Sequence, residues 1–188
     1  MKKLISMLVI VLALVGCTGH TPKSQHEHNI LIAYFSATGN TEEAAILLQQ
    51  STGAEMLEIL PAVPYTEADL DWKDSTSRSS LEMKDEFARP TMATNDIDLA
   101  NYDVIYLGYP IWWDQAPRII NSFLDSQELK GKTIIPFCTS GSSTIDNSQA
   151  LLRKTYPDAK WLPGRRLTDM TDTEIEAWVM GDDEEEEE

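Results

Sequence analysis

Residues 29–41 read NILIAYFSATGNT, an apolar run that stops on a turn of small polar residues. Asn29 to Phe35 has the length of a strand, and beyond Ser36-Ala37-Thr38-Gly39-Asn40 the apolar residues Ala44, Leu47 and Leu48 recur at helical spacing. The stretch therefore predicts strand, turn and helix. Its turn offers Ser36, Thr38, Asn40 and Thr41 as hydroxyl or amide donors, Gly39 for close backbone approach, and the unpaired N–H groups of a helix that begins near Thr41. Such donors at a helix N-terminus suit a phosphate. The turn lacks a G-K-[ST] ending, so no lysine stands ready for the outer phosphates of a triphosphate, and it lacks the G-x-G-x-x-G of dinucleotide binders. A phosphate monoester held by neutral donors fits best. Taken alone, the loop also fits a polar N-cap turn that holds no ligand.

On the C-terminal side, Met56 to Leu60 forms a second short strand stopped by Pro61 and Pro64. The polar stretch from Thr66 to Phe87 carries only scattered apolar residues, and part of it is expected as a surface helix. Asp103 to Gly108 contains Val104, Ile105, Tyr106 and Leu107 without interruption, the pattern of a central strand covered on both faces. A helix with Pro117 in its first turn then sets Ile119, Ile120, Phe123 and Leu124 on one stripe. Thr133 to Cys138 is another buried strand, followed by a helix near Gln149 to Tyr156 and a short strand around Lys160 to Leu162. The final helix opens with a capping box, Thr171 and Glu174, and buries Ile175, Trp178 and Val179. Strands alternate with helices five times, so the expected fold is α/β, a doubly wound five-stranded parallel sheet with helices on both faces.

In such sheets a ligand sits beyond the strand C-termini, where the strand order reverses. With the order 2-1-3-4-5, the loops after strands one, three and four converge. After strand three, Tyr109, Trp112 and Trp113 offer faces on which a flat aromatic ligand can stack. Core packing or a partner's docking patch would explain them equally well. After strand four, Ser140, Gly141 and Ser142 can present backbone N–H groups to the polar edge of a ring, or form a plain Ser/Gly turn. Arg118, Arg165 and Arg166 are expected at the surface or in salt bridges.

Phosphate cradle, aromatic platform and backbone donors occur in that chain order from about Asn29 to Met180, and the chain resembles the flavodoxins. Ser-Ala-Thr-Gly-Asn-Thr follows the family's phosphate-loop pattern T/S-x-T-G-N-T. Gly108-Tyr109-Pro110-Ile111-Trp112-Trp113, with Ala116-Pro117, and Phe137-Cys138-Thr139-Ser140-Gly141-Ser142 look like a bacterial flavodoxin-like lipoprotein branch. The resemblance implies that FMN is the cofactor, its phosphate held by Ser36, Thr38, Gly39, Asn40 and Thr41. It implies that Tyr109, Pro110, Ile111 and Trp112 lie against the isoalloxazine, that Ser140, Gly141 and Ser142 close its other side, and that Pro90 and Thr91 approach it. No catalytic residue and no metal ligand is expected. Thr144 and Asp146 depart from the family by standing where relatives often have glycine.

The ends of the chain speak to location. Lys2 and Lys3, the apolar run Leu4 to Val15 and the closing Leu14-Val15-Gly16-Cys17 form a secretory signal over residues 1–16. The run is shorter than the roughly 20 residues of a spanning helix. Leu-Val-Gly-Cys resembles the bacterial lipobox, which implies cleavage before Cys17 and lipidation of its sulfur. Anchoring would then be by acyl chains, outside the cytoplasm, on a periplasmic face or the cell surface. Cys138 is the only other cysteine, so a lipidated Cys17 leaves no disulfide. Residues 17–28 have tether composition, residues 29–180 form one domain, and residues 181–188 are an acidic tail. The formal net charge is −16, and −9 remains without the seven acids of Asp182 to Glu188. That balance argues against nucleic acid and favours basic protein partners. The expected function is a membrane-anchored electron carrier with a redox protein partner. An NAD(P)H-dependent quinone or flavin reductase of the same fold and a cofactor-free binding module are the alternatives.

Overall fold

The computed structural model describes residues 29–93 and 99–181. The signal at 1–16, the tether at 17–28 and all but the first residue of the acidic tail lie outside the described residues; Gly181 caps the last helix with φ 73°. Five parallel ladders join β1 (Ile30–Tyr34), β2 (Glu55–Glu58), β3 (Val104–Pro110), β4 (Thr133–Thr139), β5 (Lys160–Trp161) and β6 (Arg165–Arg166). The order is β2-β1-β3-β4-β5, the one expected for the flavodoxin-like fold, with β6 also on β4.

β5 and β6 share one edge position that the sequence led us to expect as a single strand. Trp161 pairs with Ile134 and Arg165 with Phe137, and the chain bulges between them. Pro136 and Pro163 have no N–H to offer the ladder there. Gly164 fits the gap because a Cβ at that position would come within 2.4 Å of the Pro136 carbonyl oxygen.

Central strands are buried on both faces and so need two cores. Leu31, Ala33, Phe35, Ile105, Leu107 and Tyr109 face one layer, with α3 (Arg118–Asp125) and α4 (Asp146–Thr155). Ile32, Tyr34, Tyr106 and Phe137 face the other, with α1 (Asn40–Thr52) and α5 (Asp172–Met180). The predicted α3 stripe is fully enclosed: Ile119, Ile120, Phe123 and Leu124 are at most 2% exposed. Burial on that scale contributes ~1.5–3 kcal/mol per side chain. Pro117 stands at the N-cap, one position before the first turn where the sequence had it. The capping box of α5 is present, and its hydrogen bonds hold the Glu174 carboxyl below its ordinary range.

Residues 61–93 leave the sheet and return to it. Within this excursion α2 (Arg78–Lys84) is the expected surface helix, though only about two turns long. Arg118 ties it down. The residue is 9% exposed and its guanidinium donates to the Met83 and Asp85 carbonyls and the Gln115 side chain at 3.1–3.2 Å, so this arginine is not at the surface and forms no salt bridge among the described residues.

Candidate functional site

The loops after β1, β3 and β4 meet above the strand C-termini. Thr41 Oγ1 lies 2.8 Å from Thr139 Oγ1, a buried contact that joins the first loop to the third. The Ile111 N–H donates to the Thr139 carbonyl at 2.9 Å and joins the second to the third. Gly108 permits this closeness, since a Cβ there would sit 2.2 Å from the Phe137 ring.

In the first loop Gly39 adopts φ 93°, ψ −27°, and α1 begins at Asn40 without a side-chain cap. Left-handed backbone of this kind costs a non-glycine residue roughly 1–2 kcal/mol. The Gly39 N–H donates to Ser36 Oγ at 3.1 Å, which closes the turn. The first N–H groups of an uncapped helix have no intrahelical acceptor, and here they belong to Asn40, Thr41 and Glu42. The turn is therefore an anion cradle of neutral donors at a 13-residue helix.

A cavity of about 720 Å³ opens beside it, lined by Thr38 of the first loop, Pro110, Ile111 and Trp112 of the second, and Ser140, Gly141 and Ser142 of the third. That size is in the range of cofactor pockets. Trp112 is locked by edge contacts to Phe35 and Tyr65, with ring centroids 5.7 and 5.4 Å away. Trp113, expected as a stacking face, joins the lining together with Trp72, to which the sequence assigned no role. Trp113 and Asp114 have φ of 45° and 60° between reciprocal hydrogen bonds of Trp112 and Gln115. This is a two-residue turn of the kind that ordinarily takes Asn-Gly. A bulky residue there stores ~1–3 kcal/mol of strain, a pattern that clusters at ligand sites.

Several expected contacts are not made. Tyr109 is 0% exposed and its hydroxyl lies 3.2 Å from Ser148 Oγ, because strand parity turns its ring into the α3–α4 core; it cannot serve as a stacking face. Pro90 and Thr91 do not line the cavity. The Thr91 carbonyl accepts from the Ala62 N–H, which holds the segment against the start of the excursion. Ser140 has already committed its N–H to Thr168 Oγ1 at 2.8 Å, so among that turn's donors only Gly141 and Ser142 remain for a ligand. Arg166 braces the turn from behind, with Nε and a terminal nitrogen on the Ser140 carbonyl at 3.1 and 2.8 Å. This corrects its expected surface role. Thr144 Oγ1 donates to the Asp146 carboxylate at the start of α4, which gives those two residues a helix-starting role.

Among the described residues, no ionisable side chain lines the cavity. Cys138, behind it, is 0% exposed, and burial pushes its thiol up to about 12, so it supplies no thiolate at neutral pH. The arrangement can hold a phosphate and a flat ring but carries no acid, base or nucleophile of its own.

A flavodoxin family model matches residues 29–182. The chain belongs to the flavodoxin family. Solved structures agree with the assignment. A flavoprotein candidate from Bacteroides eggerthii DSM 20697 is 51% identical, with a TM-score of 0.79 over 82% of this chain and 97% of that one. Another from Bacteroides uniformis ATCC 8492 is 48% identical, with a TM-score of 0.80 over 81% and 98%. A flavoprotein from Lactobacillus acidophilus NCFM, solved in complex with FMN, shares the fold at 22% identity and a TM-score of 0.62, over 81% and 99%. No curated protein matched the chain. In this flavodoxin, then, residues of the Ser36–Thr41 turn, the Pro110–Trp113 loop and the Ser140–Ser142 turn line one cavity, and the sequence missed Trp72 and the brace made by Arg166. The one available signal for Arg166 was a pair of arginines directly after Pro163-Gly164 in an acidic chain.

Proposed function

We propose that this flavodoxin binds FMN and acts as an electron carrier, held to a membrane by lipid on Cys17 outside the cytoplasm and serving a redox protein. One observation carries the cofactor: an uncapped helix N-terminus opens beside an indole-walled cavity that has no ionisable lining. The FMN complex of the Lactobacillus flavoprotein supports the same choice. When bound, FMN would supply one- and two-electron chemistry.

The chain's own residues would bind and shield it. Asn40, Thr41 and Glu42 N–H groups and the Ser36 and Thr38 hydroxyls would take the phosphate, with Gly39 giving backbone access. Pro110, Ile111 and Trp112 would exclude water from the ring, and Gly141 and Ser142 N–H groups would meet its polar edge. A carrier is favoured over a reductase because no second nucleotide motif occurs in the sequence and, among the described residues, no carboxylate, histidine, cysteine or lysine lines the cavity. Leu14-Val15-Gly16-Cys17 supports the anchor, and the −16 net charge supports a basic partner. Purified full chain carrying Cys17→Ser should show flavin absorption bands after addition of FMN and gel filtration. A colourless product that takes up no added FMN would refute the cofactor.

A further inference from the structure

Beside the large cavity lies a second cleft of about 200 Å³, lined by Trp72, Lys73, Ser75, Met83, Lys84 and Trp113, with Ser80 at its base. Trp72 and Trp113 line both spaces; the two lysines and Met83 line only the smaller one. Its volume is below that of drug-sized pockets, so it has room for one or two fused rings and not for a flavin.

The walls specify a ligand by their chemistry. Trp72 and Trp113 are 68% and 45% exposed, and uncovered indoles placed together on a domain surface mark a binding surface. The left-handed turn that strains Trp113 aims a large side chain where a glycine would suffice for the backbone. Met83 adds a polarisable sulfur at the floor, a good neighbour for an aromatic ring.

Charge supplies the second element. In a chain of net charge −16, this cleft carries two lysines and no acid in its lining. Lys73 Nζ sits 5.4 Å from the Trp72 ring centroid, and Lys84 Nζ donates to the Ser75 carbonyl at 2.6 Å. The described ion pairs, Arg78–Glu82 and Arg89–Asp125, involve neither lysine. Asp74 is the acid that feels Lys84, and its carboxylate is already bonded to the Thr76 N–H and hydroxyl at 2.8 and 2.7 Å. Ser80 Oγ donates to the Asp74 carbonyl. The polar capacity left in the cleft is therefore cationic.

We propose that this cleft binds a planar aromatic anion of one or two rings, stacked on Trp72 and Trp113 with its charge toward Lys73 and Lys84. The shared indoles would set that ligand edge to edge with the flavin, a consequence that rests on the cofactor reading; the binding does not.

Naphthalene-2-sulfonate and its neutral isostere naphthalene-2-sulfonamide, titrated calorimetrically into the FMN-saturated full chain carrying Cys17→Ser, provide the test. The sulfonate should bind more tightly, and Lys73→Gln with Lys84→Gln should weaken it roughly tenfold, the sum of two partly solvated charge contacts, while FMN is retained. Lys73→Gln alone, which removes no hydrogen bond of the described structure, should lose a few-fold. Equal affinity for the two probes, sulfonate binding unaffected by the double variant, or displacement of FMN by the sulfonate would overturn the proposal. If FMN itself fails to bind, charge-dependent sulfonate binding to the flavin-free chain upholds the cleft while the cofactor reading falls, and charge-independent binding overturns it.

Discussion

The Ser36–Thr41 turn, through Ala37 and Thr38, and the Trp72–Trp113 wall border the same cavity, and they are held by different means. The Ser36–Thr41 turn hangs between β1 and α1, whose residues Leu31 to Phe35, Ala45 and Leu48 are at most 5% exposed. Its shape follows from two elements that the core already fixes, plus one glycine at φ 93°. The aromatic wall has no such frame. Trp72 sits in an irregular excursion and Trp113 in a strained two-residue turn, and what positions them is a set of side-chain clamps from elsewhere in the chain. Arg118 grips the carbonyls of the excursion, and Asn147 Nδ2 donates to the Asp114 carbonyl at 2.9 Å. Framed loops hold a ligand rigidly at the expense of variety, while clamped loops present large side chains that local propensity would not place.

Gly39→Val attacks the framed side and should have the largest effect. The variant forces a β-branched residue into left-handed backbone, so stability should fall by ~1–2 kcal/mol. FMN affinity should fall by at least about tenfold as the cradle opens. Chemical denaturation and flavin fluorescence titration measure the two together. If affinity is lost with no change in stability, the turn is not strained in the way proposed.

Arg166→Met tests a clamp. The Ser140 carbonyl loses two charged donors, and stability should drop by ~1–2 kcal/mol. FMN affinity should fall several-fold, because the Gly141 and Ser142 donors lose their support. Intact affinity would show that the third loop holds itself.

Trp113→Gly should have the smallest effect and separates the two sides most sharply. Glycine accepts φ 45° without strain, so the melting temperature should hold or rise slightly, offset by the added chain entropy. Loss of the indole should weaken flavin binding about two- to tenfold, the range of one aromatic contact. A fall in melting temperature comparable to that of Gly39→Val would mean that the wall is framed after all.

The same division explains what was legible in the sequence. β1, its turn and α1 are contiguous, so apolar run, glycine and helical spacing could be read together; the alternation of elements called for the parallel sheet, and its strand order came with the family resemblance. Which aromatic faces the cavity depended on strand parity: Ile105, Leu107 and Tyr109 share the α3–α4 face, so Tyr109 is core, while Trp112 and Trp113 lie past the strand where parity no longer applies. Trp72 was hidden because it lies 40 residues from Trp112 in a polar stretch without periodicity. Contacts distant in sequence bring its segment to the site, among them Arg118 on the Met83 and Asp85 carbonyls and the Tyr65 ring against Trp112. Pro90 and Thr91 failed for a related reason, since the antiparallel bridge of Pro61 to Met92 draws their segment to the neck of the excursion.

The central claim is that the Ser36–Thr41 turn is a phosphate site that selects FMN. The most direct measurement is the affinity of the purified flavin-free chain for FMN and for riboflavin, which differ only in the phosphate. FMN should bind one to one and at least about a hundredfold more tightly, as expected for several charge-assisted hydrogen bonds to one phosphate. Riboflavin binding as tightly as FMN, or neither binding at all, would contradict the account.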